Sequence, residues 1–315
     1  MDAQVSTILH SPCGQFVYIA TYDSLCKLEA GNGKKEVWRK ECEECQWEGG
    51  IFLALAVSPD GKAVYFGGSD YKLTSVNAET GEQVWKTGEL ALGGYMLRVL
   101  SLAVADGGKT LLAGSVGGFV RVATDTGKVT TETESSSMCN CICCSPDGKH
   151  IVTSFIADGK TDLVCWKLPT DSSKHAEEGA VPDAAIDADS DAESSLPTDK
   201  PVWERAWTVS LSEQVFAVTL SRCGGMMFLG VGQKVTALDW ATQALLWECR
   251  REDKVNSITL AQPHGDTLFV AGDDSMVASR DSRHHGTCPL EHEAVWSSNL
   301  DIMQPLWAVY RHRRW

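Results

Sequence analysis

Short apolar runs broken by tight polar turns recur along the whole chain. The unit is clearest between Phe52 and Trp85, where Phe52 to Val57 is apolar, Ser58-Pro59-Asp60-Gly61 turns, and Ala63 to Gly68 is a second apolar run. A further turn at Ser69-Asp70-Tyr71 leads to Leu73–Val76, then Glu79-Thr80-Gly81, and a last strand closes at Val84-Trp85. Runs of this length between turn residues read as strands. Four such strands in one repeat make the blade of a propeller.

The same order returns with Ser11-Pro12-Cys13-Gly14 and Val37-Trp38, and with Ser145-Pro146-Asp147-Gly148. Degenerate turns stand at Ala105-Asp106-Gly107-Gly108, Ser221-Arg222-Cys223-Gly224 and Gln262-Pro263-His264-Gly265, which gives six units. Pro12 to Trp38 and Pro59 to Trp85 each span 26 residues, and Arg222 to Trp247 spans 25, so the closing tryptophan keeps its distance from the first turn. Trp203 and Trp296 close the fourth and sixth units after insertions. The pattern predicts an all-β fold, a single β-propeller over residues 1–315 with four-stranded antiparallel blades. Six blades are expected; seven, the last incomplete, is the alternative if residues 297–315 add an extra strand or partial blade. Isolated units would each expose an apolar sheet face, so stability must come from stacking, with Trp38, Trp85, Trp203, Trp247 and Trp296 as docking residues.

Composition refines this picture in two places. The net charge of −14 argues against direct nucleic-acid binding. Half of it lies between Pro169 and Pro201, where nine acidic and two basic side chains sum to −7. Residues 169–201 are too polar to repay ordering entropy, and a disordered acidic insertion in the fourth blade is expected there. Its serines, Ser172, Ser173, Ser190, Ser194 and Ser195, are candidate phosphate acceptors. The second refinement concerns compartment: with no apolar run of membrane-spanning length, no leader-like start and twelve scattered cysteines, a cytoplasmic protein with reduced thiols and no membrane insertion is expected.

Several residues resemble the docking motif of the pyrroloquinoline-quinone-like propellers, Ala-x-Asp-x-x-Thr-Gly-x-x-x-Trp. Ala237, Asp239, Thr242 and Trp247 match it with Gln243 at the glycine position, and Asn77, Thr80, Gly81 and Trp85 match it with Ser75 for the alanine. The third unit keeps Thr126-Gly127 but has Thr131 where the tryptophan belongs. The tryptophan-aspartate repeat family is similar in shape, although its Gly-His and Trp-Asp dipeptides are absent. The resemblance to this quinoprotein dehydrogenase-like superfamily covers architecture only and implies no one activity.

Candidate chemistry is sparse. Quinone-dependent relatives carry adjacent cysteines, but Cys143-Cys144 ends a first strand, and no cofactor is expected. Cys139, Cys141 and Cys143 alternate, which on a regular strand puts three thiols on one face, with packing the preferred role. Cys42 and Cys45 form an isolated CxxC. His284, His285, Cys288 and His292 are candidate metal ligands in the sixth unit. The loops between second and third strands hold Asp23, Asp70 with Tyr71, Asp158, and Asp273 with Asp274. Equivalent loops converge on one face of a propeller, so these six residues form a candidate binding rim.

With no assignable catalytic group, the leading expectation is a non-enzymatic scaffold docking other proteins on a rim. The alternatives are a metal-dependent hydrolase-like propeller enzyme with its site in the axial channel, and a small-molecule or ion sensor.

Overall fold

The computed structural model describes residues 5–21, 24–30, 35–41, 54–92, 95–134, 137–167, 204–251, 254–260, 267–272 and 277–281. The first sheet takes β1 (Val5–His10), β2 (Phe16–Thr21), β3 (Ser24–Glu29) and β4 (Glu36–Glu41). The second takes β5 (Ala54–Val57), β6 (Ala63–Gly67), β7 (Leu73–Asn77) and β8 (Gln83–Lys86). A ribbon of β9 (Ala91–Leu92) and β10 (Tyr95–Met96) leads to the third, β11 (Ser101–Ala105), β12 (Thr110–Ser115), β13 (Gly118–Ala123) and β14 (Val129–Glu134). The fourth is β15 (Met138–Cys144), β16 (His150–Ala157), β17 (Lys160–Lys167) and β18 (Glu204–Leu211). The fifth is β19 (Val215–Leu220), β20 (Met226–Val231), β21 (Lys234–Asp239) and β22 (Leu245–Arg250), and the last described sheet is β23 (Val255–Leu260), β24 (Thr267–Gly272) and β25 (Val277–Asp281). All pairings are antiparallel between consecutive strands.

Among the described residues five blades are four-stranded, not the six expected nor the seven, the last incomplete, of the alternative. The three-stranded sheet occupies the place of the sixth unit, and its Trp296, like residues 297–315, lies outside the described residues. Inner strands pack in ring order, β1 on β5, β5 on β11, and onward to β23, which packs back on β1. His10 of β1 stacks on Phe269 of β24 with ring centroids 5.4 Å apart. That contact joins the first and last described sheets directly.

The turn joining the first two strands of a blade is built alike in four blades. In each, the serine hydroxyl accepts the backbone N–H five residues on, from Phe16, Ala63, His150 and Met226 at 3.0, 2.9, 2.9 and 2.8 Å. The closing glycine, Gly14, Gly61, Gly148 or Gly224, has φ between 68° and 72°, a region open to glycine at little steric cost. The third blade replaces this turn by a 3₁₀ turn at Asp106–Gly108.

The hydrophobic core lies between sheets rather than within one. Tyr18, Ala20 and Leu25 meet Leu55, Val64 and Phe66 at the first seam; Val152 and Leu163 meet Met227 and Leu229 at the fourth. Each sheet thus buries both faces, as stacked blades must. Among the described residues no helix is long and apolar enough to cross a membrane.

Candidate functional site

The six inner strands enclose an axial channel of about 590 Å³. Its walls are Thr7 to His10, Ala54 to Val57, Leu100 to Val104, Asn140 to Cys144, Phe216 to Leu220 and Asn256 to Leu260. Among the described residues no carboxylate lines it. Its basic groups are His10, whose burial pushes the imidazole pKa down to about 4, and Arg222 on a turn at one mouth. A hydrolase site needs carboxylate or imidazole ligands converging on one centre. Among the described residues no group of three His, Cys, Asp or Glu side chains is placed to hold an ion. His284, His285, Cys288 and His292 lie outside the described residues, as do Cys42 and Cys45.

Four inner strands carry a bulge near their start, at Ser6, Asn140, Phe216 and Asn256. Bulges re-aim side chains, and these positions were hidden in the sequence because one extra residue leaves no compositional mark. Asn140 Nδ2 reaches the next blade, donating to the Val215 carbonyl at 3.1 Å, and the Lys254 ammonium sits 3.6 Å from the Phe216 ring centroid. The bulge at Asn140 also corrects the reading of the cysteines. Cys139 and Cys144 pack on one face with Ile142, while Cys143 packs on the other with Val152 and Leu220. Burial pushes the Cys141 and Cys143 thiols up to about 12 and raises Cys139 and Cys144 as well, so these are inert packing groups.

The outer strands carry the inter-blade clasp. Trp38 Nε1 donates to the Ala78 carbonyl at 3.2 Å, and Trp85 Nε1 donates to the Thr124 carbonyl at 2.8 Å, each in the next blade. Lys27 reaches the same Ala78 carbonyl at 2.7 Å, its ammonium 3.9 Å above the Phe16 ring centroid, and burial lowers its pKa. Trp247 packs with Leu268 and Val270 of the last described sheet. These tryptophans hold one register position, opposite Lys27, Ser75 and Ala237 and beside a bulge in each pairing. In the fourth blade that position, opposite Cys165, belongs to Trp207, not to Trp203, which lies outside the described residues. Trp207 meets Trp240 of the fifth blade edge to face at 5.4 Å. The insertion hid this residue, because spacing counted from Pro146 loses its meaning across 169–201.

The candidate rim is described in part. Asp70 accepts the Lys72 N–H at 3.3 Å and lies 3.5 Å from the Lys86 ammonium. Tyr71 has φ 59°, and Asp158 has φ 51° in the two-residue Asp158-Gly159 hairpin. Turn geometry therefore accounts for both aspartates locally. Asp23, Asp273 and Asp274 lie outside the described residues. The loop at the same place in the third blade presents Val116, 42% exposed, and the adjoining ribbon presents Met96, 43% exposed. The ribbon is tied to the rim by the Leu90 N–H, which donates to the Tyr71 carbonyl at 2.8 Å.

Residues 1–140 match the family model of the outer membrane protein assembly factor BamB, a PQQ-type model, and residues 127–161 match the WD domain, G-beta repeat. The chain is thus similar to PQQ-type and WD-repeat β-propellers. The second match runs from the last strand of the third blade into β17, across the Ser145-Pro146-Asp147-Gly148 turn. It does so without the Trp-Asp dipeptide, so the propeller's turn and strand pattern carries it. No curated protein matches the chain.

Proposed function

We propose that this propeller is a non-enzymatic scaffold that docks other proteins on the face formed by its second-to-third-strand loops. The observation that carries this reading is the pairing of exposed apolar side chains, Met96 and Val116, with Tyr71, Asp70 and Asp158 on that face. An apolar centre with a polar surround is the usual anatomy of a protein interface. The channel, lined without carboxylates, offers less. The matched models agree in kind, since one is named for an assembly factor and WD-type propellers commonly bind proteins.

The scaffold is read as one six-bladed propeller domain in the cytoplasm; the acidic insertion expected at 169–201 lies outside the described residues. Cys13, Cys139, Cys141, Cys143, Cys144, Cys165 and Cys223 are free thiols, in keeping with a reducing compartment. For the sixth blade, Phe269 stands opposite Ser279 as Tyr18, Tyr65 and Phe228 stand opposite Lys27, Ser75 and Ala237. Each of those aromatics packs beside a docking tryptophan at about 6 Å. Phe269 thus holds the position that an aromatic beside a docking tryptophan holds in the other blades.

The test is quantitative affinity capture with the intact protein, comparing wild type with the double variant Met96→Glu, Val116→Glu. Partners retained by wild type and lost by a variant of unchanged melting temperature support this face. An identical partner set rejects it.

A further inference from the structure

The ring closes where β1 meets β23. Every described sheet uses strands consecutive in sequence, and among the described residues no strand is exchanged between the first and last sheets. β1 and β23 belong to separate sheets, and their seam is held by side-chain packing, with His10 lying against Phe269 at an interplanar angle of 26°. His10 Nδ1 is buried with no hydrogen-bond partner.

We propose that this seam is a pH-sensitive latch, in which protonation of His10 releases β1 from β23 and β24 and opens the ring while the remaining sheets stay folded. The imidazolium formed there would need an anion, and the described residues packed around it provide none. The elements packed on it are β2, β5, β23 and β24, together with the Ser11 to Gln15 turn. Among their described residues the titratable groups are Tyr18 and Cys13, and neither is an anion at neutral pH; no Asp, Glu, Lys or Arg stands on them. The attraction of a cation for the Phe269 ring face offsets only part of the lost hydration.

The sign follows from the direction of the shift. The closed seam holds His10 near 4 against 6.5 in an opened one, so closure is unaffected above pH 6.5 and weakens as pH falls towards 4. Between about pH 7 and about pH 5 the opening equilibrium should rise about twentyfold. The resulting open arc would expose the apolar residues of the seam and both edges of the docking face.

Hydrogen exchange read by mass spectrometry on the full chain tests this, with rates corrected for the intrinsic pH dependence of exchange. The latch requires β1, β23 and β24 to lose protection about twentyfold at the lower pH, with β11 to β14 unchanged. In His10→Phe the loss should vanish, and His10→Gln, which keeps a neutral polar side chain, should behave alike if the phenylalanine variant does not fold. A uniform loss across all sheets, or the same seam-specific loss in both variants, overturns the latch. Neither outcome bears on partner docking, which is assayed at neutral pH.

Discussion

Trp85 Nε1 donates to the Thr124 carbonyl at 2.8 Å, and a Cβ built on Gly127 would lie 2.8 Å from the same indole ring. The second and third blades are therefore joined by one ring that is both hydrogen-bonded and in close contact with glycine. Trp85→Ala should destabilise by about 3–5 kcal/mol and Trp85→Phe by less, since it gives up the donor but keeps most of the area. Gly127→Ala should also destabilise, because φ 71° adds backbone strain to the clash. Chemical denaturation of the three variants checks the order.

Trp207 makes the corresponding contact at the fourth seam, packing with Trp240, Val209 and Leu211. Trp207→Ala should lower stability by roughly 3 kcal/mol. A melting temperature equal to wild type would refute the register given for β18.

Gln243 holds φ 58° at the place where Gly81 and Gly127 stand in their blades, with φ 75° and 71°. Its amide donates to the Trp240 and Ala241 carbonyls on an exposed turn, which recovers part of the strain. Gln243→Gly should therefore stabilise by about 0.5–1 kcal/mol, read as a shifted denaturation midpoint.

The propeller was legible in the sequence because its turns and closing tryptophans repeat at fixed spacing, and each turn leaves a chemical mark such as Ser58 with Gly61. Trp207 was not, because an insertion between strands breaks the count that finds Trp38 and Trp85. The cysteine faces were misread for a related reason: period-two alternation assumes a regular strand, and a single bulged residue at Asn140 reverses it. Of the candidate rim residues, Asp70 and Asp158 stand out in the sequence by their turn chemistry. Met96 and Val116 were missed, since an exposed apolar residue looks in sequence like a buried one.

Thiol chemistry separates the cysteines into two groups. Cys13 and Cys223 are exposed at the turn position that Asp60 and Asp147 hold in other blades, with Ser11 and Ser221 hydroxyls 3.3 and 3.4 Å from sulfur. Those contacts hold both thiols below their ordinary pKa, whereas burial raises Cys139, Cys141 and Cys165. Brief alkylation of native protein near neutral pH should label Cys13 and Cys223 first, and Cys139 and Cys141 only after unfolding, as peptide mass spectrometry would show.

Ring closure underlies the proposed docking face and the proposed latch alike, and a nuclear Overhauser contact between the His10 and Phe269 ring protons reports on it directly. In specifically labelled protein at neutral pH, a strong cross-peak is expected from the 5.4 Å centroid separation. A folded protein without that cross-peak would be an open arc, and the account would fail.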